Sequence, residues 1–574
     1  MTTTVLLLTT PLAMAQSEEA ADDMTLAITS SGQGLSRSTA LQAGTMVRGQ
    51  WTDTPPVLTM EQQRALEEGM ASSTRPGPLG PTAVVPAGQP TGPAVPAPDM
   101  ITMRRPGIFD PREQGATSVT QHERLTGVEP SAPLGAIAAN PPNTFTYFRS
   151  TGIPSSGIAG GYSRVSSTQE PSTVENGKVV FQTGNWYATR SYNTGVTWQF
   201  LDPFTLFGSG FCCDQVTVYD QSRNHVFWLL QYSDRIVLAN SVGTDLTNWC
   251  FYSLTPALFG LPANTVLDYN DLALGKNFIY WTTNLFTGAS GALIVRFSLD
   301  AMAACGGLSY SFVTRADTFT FKPVQGAQDV MYWGSNWITG KPFGTSFRAF
   351  SWAENSATYF FYDRVIDAFA FMTRNSGQNC GSVSGAVANW CQFSDSRVLG
   401  GYRANGVIGF SFNAKQDVSH PFPYSRRVSF RESDIAYLGK SELWATWVAL
   451  LFLSLAPDQR GNIGGVFYWG GGTGTTNHYP GTGILIQDDY SPNQPWGVSF
   501  GYSGAFNTCT SQGFYRWGDY ATIRPFYPSQ DTWVASGYRI LGNHCGSAGW
   551  YSQPINVHFG RERDRGSVTR WWVQ

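Results

Sequence analysis

Short apolar and aromatic runs of four to eight residues, separated by Gly, Asn, Asp, Ser and Pro, fill the chain from residue 143 onward. Such runs between turn-forming residues are typical of β-strands. The strongest run, Trp444 to Ala456, is too short to span a bilayer and predicts buried strands. Before residue 140 this pattern is absent: one short helix is predicted over Leu58 to Met70, and the Pro-, Gly- and Ala-rich residues 75–100 predict an extended spacer. Residues 16–140 therefore form a low-complexity region ahead of an all-β region.

The strand pattern repeats as seven units, whose first strands begin near residues 170, 214, 271, 325, 395, 454 and 519, on average about 58 residues apart. Self-similar units of several strands each predict a β-propeller. The last unit lacks a fourth strand, and the run Thr144 to Arg149 supplies it in this interpretation, so that the two chain ends close the ring. We predict a seven-bladed propeller of four-stranded blades over residues 143–562, followed by a tail over 563–574. The spacing is also compatible with six or eight blades.

One octapeptide in the first unit, Ser191-Tyr192-Asn193-Thr194-Gly195-Val196-Thr197-Trp198, resembles the Asp box of sialidase-like β-propellers. The resemblance implies a hairpin in which polar side chains bond the turn backbone, Gly195 has a positive φ, and Trp198 packs between sheets. Asn193 stands where the family has aspartate. Two further segments, residues 211–214 and 516–520, look like those of exported bacterial sialidase-like proteins.

Sialidases carry an Arg-Ile-Pro motif at the first inner strand, where this chain has Gln169-Glu170-Pro171. The expected arginine is therefore absent, and the resemblance transfers no catalytic residue. The resemblance therefore predicts the fold and no particular activity, because a fold does not by itself specify a function.

Composition narrows the class of partner. The net charge is −3 and no basic patch is present, so the sequence gives little attraction for nucleic acid or anionic lipid. Charged residues make up 13% of the chain and aromatic residues 14%, which suits twisted sheets with many turns.

The N-terminus predicts export. Residues 1–15 hold an apolar stretch that ends in the small-x-small pattern Ala13-Met14-Ala15, typical of a cleaved signal. Because no Lys or Arg precedes Arg37, a cytosolic tail is the alternative.

The eight cysteines support an oxidising compartment, because no Cys-x-x-Cys zinc spacing occurs among them. We predict the disulfides Cys380–Cys391, Cys250–Cys305 and Cys509–Cys545, and a vicinal pair, Cys212–Cys213.

The innermost strand of each propeller blade lines the central channel, and ligands usually bind at its mouth. The inner strands of this chain begin with polar residues that are predicted to face one another there, namely Glu170, Asp214, Asp271, Gln325, Asp395 and Asp519. Confined carboxylates raise one another's pKa or recruit a cation such as calcium, although no cofactor is expected. The alternative is that each carboxylate caps its own turn or bonds a neighbouring blade.

Basic and aromatic residues complete the predicted site. The arginines expected to reach the mouth, where they could grip a carboxylate, are Arg403, Arg426, Arg427, Arg516 and Arg524. Most tryptophans, including Trp198 and Trp228, are predicted to lie in the core between blades. Flat rings can also stack on sugars, and the tryptophans predicted to be exposed in turns are Trp186, Trp337 and Trp496.

Three functions remain open from the sequence. The first is an exported binding module or surface scaffold that recognises a glycan or a protein at the channel mouth. The second is a glycoside hydrolase or lyase that uses carboxylates such as Glu170, Asp214 and Asp519. The third is a structural component of an envelope assembly, tethered through the Pro-rich segment.

Overall fold

The computed structural model describes residues 36–37, 42, 44–52, 146–153, 165–166, 168–473, 477–488, 496–511, 514–542 and 551–564. Within them the chain forms seven antiparallel sheets of four successive strands. The innermost strands of successive blades contact one another, and that of blade 7 contacts that of blade 1. The predicted seven-bladed β-propeller is therefore confirmed.

Each blade is an up-and-down sheet whose first strand is innermost. Blades 1 and 2 consist of Ser172–Asn176, Val179–Gly184, Tyr187–Ser191 and Gln199–Leu201, and of Phe211–Asp220, His225–Tyr232, Ile236–Val242 and Asn248–Leu254. Blades 3 and 4 consist of Thr265–Leu274, Phe278–Thr287, Gly291–Ser298 and Tyr310–Arg315, and of Lys322–Pro323, Val330–Ser335, Ser346–Ala353 and Phe360–Val365. Blades 5 and 6 consist of Val398–Ala404, Val407–Ala414, Tyr424–Arg431 and Tyr437–Leu443, and of Ala449–Pro457, Ile463–Gly471, His478–Gln487 and Gly497–Ser499.

Blade 7 is built from both parts of the chain, namely from Thr522–Pro525, Trp533–Gly542, Tyr551–Gly560 and the N-terminal strand Thr146–Gly152. The predicted closure is confirmed, although the closing strand begins two residues later than expected and continues to Gly152. The remaining elements are short and lie between blades. They are the strand pairs Thr318–Phe319 with Trp337–Ile338 and Thr510–Ser511 with Phe514–Tyr515, and the helical turns Pro203–Leu206, Pro256–Phe259, Leu299–Ala303 and Glu562–Asp564.

Three strands from the low-complexity region add a fifth, outermost strand to blades 3, 2 and 1. They are Ser36–Arg37, Thr45–Arg48 and Trp51–Thr52, and we call these strands, with the described residues 42, 44, 49 and 50 beside them, the N-terminal strap. Gly44 lies where the strap crosses the Cys250–Cys305 disulfide, and a Cβ atom there would lie 2.2 Å from Cys250 Sγ. These strands were not predicted, because strands of two to four residues without apolar alternation resemble a polar tail. The remaining predictions for the N-terminal region, namely the signal over 1–15, the helix over Leu58 to Met70 and the spacer over 75–100, lie outside the described residues.

The core lies between adjacent blades. Trp228 of blade 2 is fully buried, and its ring centroid lies 5.2 Å from that of Phe181 in blade 1. In blade 6 every residue of Ala449–Pro457 is buried, as the long apolar run predicted. Strands that are covered on both faces read as continuous apolar runs, because both sets of alternating side chains are removed from water.

The hairpin Ser191 to Trp198 joins the third and fourth strands of blade 1. Asn193 Oδ1 accepts the Thr197 N–H at 2.8 Å, and Ser191 Oγ accepts the Gly195 N–H at 2.8 Å. Gly195 has a φ of 81°, and Trp198 packs with Ile153, which follows the closing strand of blade 7. The expected turn geometry and inter-sheet packing are therefore present.

Three disulfides pair as predicted, namely Cys212–Cys213, Cys250–Cys305 and Cys380–Cys391. Cys250 belongs to the fourth strand of blade 2, and Cys305 follows the short helix of blade 3. This disulfide therefore links two blades. Cys509 is also disulfide-bonded, and its predicted partner Cys545 lies outside the described residues.

Candidate functional site

All seven inner strands begin at one face of the ring, which we call the entry face, and end at the other, the exit face. Glu170, Asp214 and Asp519 meet below the entry face. Glu170 Oε1 accepts a hydrogen bond from the Asp519 N–H at 3.1 Å, and Glu170 Oε2 accepts one from Asn185 Nδ2 at 2.9 Å. Glu170 is only 1% exposed and Asp214 4%. The structure thus brings the predicted acids together, but buries them.

Two buried arginines balance these carboxylates. Arg397 binds Asp395 through two hydrogen bonds of 2.8 Å, and its Nη1 lies 3.3 Å from Asp519 Oδ2. Arg516 Nη2 lies 3.6 Å from Glu170 Oε1 and 3.7 Å from Asp519 Oδ2. Sequence reasoning missed Arg397, although it follows Asp395 by only two residues and binds it directly.

A β-bulge brings a further acid to the channel. Asp268 and Asp271 are three residues apart, so strict alternation would direct them to opposite faces of the sheet. The pairing register shifts between them, and Tyr269 has a φ of 61° in the left-handed region. Asp268 accepts Gln231 Nε2 at 3.2 Å, while Asp271 Oδ2 lies 3.0 Å from Lys322 Nζ. Asp268 was therefore missed because its position depends on an irregularity that the periodic pattern does not encode.

Burial and neighbouring charges set the acids' protonation. Burial, followed by the Glu170 carboxyl, raises the pKa of Asp214 well above its usual value. Burial and the charge of Asp519 raise the pKa of Asp268 to about 6. Burial would also raise the pKa of Asp519, but Arg397 and Arg516 outweigh it and hold that pKa below its usual value. The cluster therefore contains a carboxyl group that favours its neutral form beside one that favours its charge.

A long connection between blades 4 and 5, residues 366–397, covers this cluster, and we call it the entry loop. The Cys380–Cys391 disulfide closes it, and the Ala388 N–H donates to Asn507 Oδ1 at 2.8 Å. Gln392 Oε1 accepts the Tyr515 N–H at 3.0 Å. The loop also supplies Arg374, Asp395 and Arg397. Residues of the covering loop are therefore themselves members of the charge cluster. Burial, then Arg397, lowers the pKa of Arg374 to about 10.

Three of the other predicted ligand residues lie at the exit face. A cavity of about 380 Å³ opens there, at the end of the inner strands. It is lined by three residues that the sequence analysis singled out, Gln325, Arg403 and Arg524, and by further polar side chains, including Gln328, Asn405, Asp458, Gln459 and Gln530. We call this space the exit cavity. The predicted ring of site residues is thus divided between a covered charge cluster and an open polar cavity.

Two predicted arginines line neither the charge cluster below the entry face nor the exit cavity. Arg426 pairs with Glu442 inside blade 5, and Arg427 lies over the ring of Trp496, 4.7 Å from its centroid. Both occupy the third strand of their blade, which is too far from the axis to line the channel.

The expectation of exposed tryptophans was wrong. Trp186, Trp337 and Trp496 are only 0%, 4% and 3% exposed. Trp186 lies in a tight turn, as predicted, but its indole N–H donates to the Cys212 carbonyl at 3.1 Å, and its ring packs with the vicinal cysteines. A turn residue with a large apolar ring is still buried when the next blade covers the turn.

The described ranges contain no group of three or more His, Cys, Asp or Glu side chains placed to hold a metal ion. They also contain no helix with the length and hydropathy needed to cross a membrane.

No protein-family model matches the sequence, and no curated protein matches it either. Solved structures with a similar trace include an α-L-arabinofuranosidase of Fusarium graminearum bound to an iminosugar inhibitor, with 11% identity, a TM-score of 0.33, and coverage of 71% of this chain and 97% of that chain. An α-L-arabinanase of Penicillium chrysogenum complexed with arabinobiose has 11% identity, a TM-score of 0.32 and coverage of 72% and 98%. The CNH domain of AfRom2 has 9% identity, a TM-score of 0.32 and coverage of 71% and 98%. At such low identity and TM-score, these likenesses carry no information about ligand or reaction.

Proposed function

We propose that this protein is an exported carbohydrate-binding propeller that receives its ligand in the exit cavity. The observation that carries the proposal is the cavity itself, whose volume of about 380 Å³ lies within the range of small-molecule sites and whose walls hold many polar side chains. Sugar hydroxyl groups donate and accept hydrogen bonds, and side-chain amides do the same.

Several polar groups of the cavity are held in place. Arg403 Nε donates to Glu432 Oε1 at 2.9 Å, while the Arg403 side chain keeps 31% of its surface exposed. Gln325 Nε2 donates to the Leu272 carbonyl at 3.1 Å, which fixes the amide. Pre-oriented groups lose less conformational freedom when a ligand binds, and therefore favour binding.

The disulfides support export, because such bonds persist in oxidising compartments. The hydrogen-bonded hairpin from Ser191 to Trp198 supports kinship with Asp-box propellers.

The geometry favours binding over the hydrolase alternative. Two catalytic carboxyl groups of a glycosidase stand roughly 5 to 10 Å apart beside an open site. Glu170 and Asp214 instead lie buried below the covered entry face, with 1% and 4% of their surface exposed. The covered cluster fits a structural role better, since its charges pair with Arg397 and Arg516.

A glycan array and a glycosidase screen on the full secreted chain test this proposal. We expect glycan binding without turnover, and loss of binding in Gln328→Trp, because the exposed Gln328 lines the cavity and an indole would fill it. The matched control is Gln416→Ala at the entry face, which should bind normally. Binding that Q328W leaves intact would place the ligand elsewhere. Turnover that is lost in Asp519→Asn would favour the hydrolase.

A further inference from the structure

We propose that the exit cavity binds an acidic sugar unit, one that carries a carboxylate or a sulfate ester. This inference rests on the proposed function and specifies its ligand. Three features of the cavity wall carry it: the hydrogen-bond donors of Arg403, the partly compensated charge of Arg524, and the pairing of the acidic residue Asp458 with its own neighbours.

Arg403 directs hydrogen-bond donors at solvent beside the cavity. It lies near the end of the inner strand of blade 5, and its Nε donates to Glu432 Oε1 at 2.9 Å. Its side chain keeps 31% of its surface exposed, and within the described part of the chain neither Nη group donates a hydrogen bond. A guanidinium binds an ionised acceptor more strongly than a neutral one. These donors therefore favour an anionic group on the ligand.

Arg524 adds positive charge to the opposite side of the wall, on the inner strand of blade 7. Its Nε and Nη1 donate to the carbonyls of Thr217 and Ile523, at 3.3 Å and 3.0 Å, and its Nη2 has no hydrogen-bond partner among the described residues. Asp271 Oδ1 lies 3.9 Å from this Nη2, while Asp271 Oδ2 lies 3.0 Å from Lys322 Nζ. One carboxylate is therefore shared by two cationic side chains, and the charge of Arg524 is only partly compensated.

The two arginines act in different ways. Because Arg524 Nη2 is buried, that residue attracts an anion through its charge and not through a hydrogen bond. The attraction is stronger at a partly buried site than in water, since the effective dielectric constant is lower. Arg403, whose side chain is open, supplies the direct contact.

The acidic residue of the wall, Asp458, is already paired. Its Oδ1 accepts the Arg460 and Asn462 N–H groups, each at 2.8 Å, and its Oδ2 accepts Asn462 Nδ2 at 2.8 Å. The carboxylate is fully buried and lies 3.4 Å from Arg460 Nη2. Arg460 also contacts Asp531 and Asp564, which do not line the cavity. Asp458 is therefore closed to a ligand, and the positive side chains determine which charge the wall favours.

Amide side chains provide for the uncharged part of the ligand. Gln459 and Gln530 donate to Asp531 and Gln221, at 2.6 Å and 2.8 Å, which orients both amides. Such groups match the hydroxyl groups of a sugar ring, and a small inorganic anion would leave them unused. The amide residues of the wall are Gln325, Gln328, Asn405, Gln459 and Gln530.

The test uses the full chain and the methyl glycosides of glucose, galactose and mannose, each as the neutral sugar, the uronate and the primary sulfate ester. Titration calorimetry measures the affinities. We expect the acidic forms of a recognised sugar to bind at least about tenfold more tightly than the neutral form. A preference for the uronate alone, or for the sulfate alone, supports the inference and identifies the acidic group.

Variants of Arg403 separate charge from shape. Arg403→Gln should reduce the preference to about twofold or less and leave the affinity for the neutral sugar within about twofold, because glutamine keeps a polar side chain without the charge. Arg403→Lys should retain most of the preference, since lysine keeps the charge. Lys341→Gln is the matched control: the side chain is 46% exposed outside the cavity, and its loss changes the net charge equally.

Two results would overturn the inference and keep the proposed function, provided that Gln328→Trp abolishes the binding. They are neutral sugars that bind as tightly as their acidic forms, and an acidic preference that R403Q leaves unchanged. Absence of binding to every sugar, or binding that Q328W leaves intact, would overturn both. Circular dichroism and melting temperatures establish that the variants are folded, because Gln328 and Arg403 are exposed in whole or in part.

Discussion

The guanidinium of Arg397 joins Asp395 to Asp519, with two hydrogen bonds of 2.8 Å to the first and a contact of 3.3 Å to the second. Asp395 and Arg397 end the entry loop, and Asp519 precedes the inner strand of blade 7. A single buried arginine therefore ties the covering loop to the point where the ring closes.

Arg397→Met should destabilise the fold by about 3–5 kcal/mol, because removing one member of a buried ionic network leaves the others uncompensated. Arg431→Met is the control. Arg431 pairs with Asp434, the two side chains are 54% and 50% exposed, and such surface pairs contribute about 0–1 kcal/mol. Urea unfolding measures both free energies, and equal losses would contradict the role assigned to Arg397.

The N-terminal strap should protect the outer edges of blades 1 to 3. Removal of residues 16–52, compared with removal of 16–35, should speed hydrogen exchange in Asn248–Leu254, which pairs with Thr45–Arg48. Gly497–Ser499 at the edge of blade 6 is the internal reference. In the full chain, Gly44→Val should have the same effect, because a Cβ atom would overlap Cys250 Sγ. An unchanged rate of hydrogen exchange in Asn248–Leu254 would show that the strap does not remain bound to the blades in solution.

His420 should make stability depend on pH. Its ring lies between two carboxylates, with Nδ1 2.8 Å from Asp417 and Nε2 3.6 Å from Glu442, and it stacks on Tyr424. Burial would lower its pKa, but the two carboxylates raise it above 6.5. Arg426 and Lys440, which also contact Glu442, oppose this effect without reversing it.

A raised pKa means that the folded state holds the proton more tightly than the unfolded state. The stabilisation from His420 is therefore complete below 6.5 and disappears as the pH rises through the folded-state pKa. His420→Asn should lose more unfolding free energy at about pH 5.5 than at about pH 8.5. Urea titrations at the two values measure this difference, and an equal loss would refute the assignment.

Asn193→Ala should weaken the hairpin of blade 1 by about 1 kcal/mol, because the Thr197 N–H loses its acceptor. Asn193→Asp keeps that acceptor, and its loss should be smaller. Thermal unfolding of the two variants gives the comparison. An aspartate variant as unstable as the alanine variant would show that the Asn193 amide donor to Thr197 Oγ1 matters more.

The candidate site was only partly predictable. Glu170, Asp214, Asp395 and Asp519 were found because each lies within three residues of the first residue of an inner strand. Asp268 depended on the bulge at Tyr269. The exit cavity was missed as a separate place, because Gln325 and Arg403 were assigned to the same mouth as the acids.

The sequence by itself predicted the strands of the blades, seven as the favoured number of blades, the closure by an N-terminal strand and three disulfide pairings that the structure confirms. These follow from alternation, turn residues and spacing, which act over short stretches of chain. Only the tertiary structure decided that the acids are covered and paired with Arg397, that Trp186 is buried, and that the strap lies along three blades. Those features depend on bulges and on contacts between distant segments, which local periodicity does not specify.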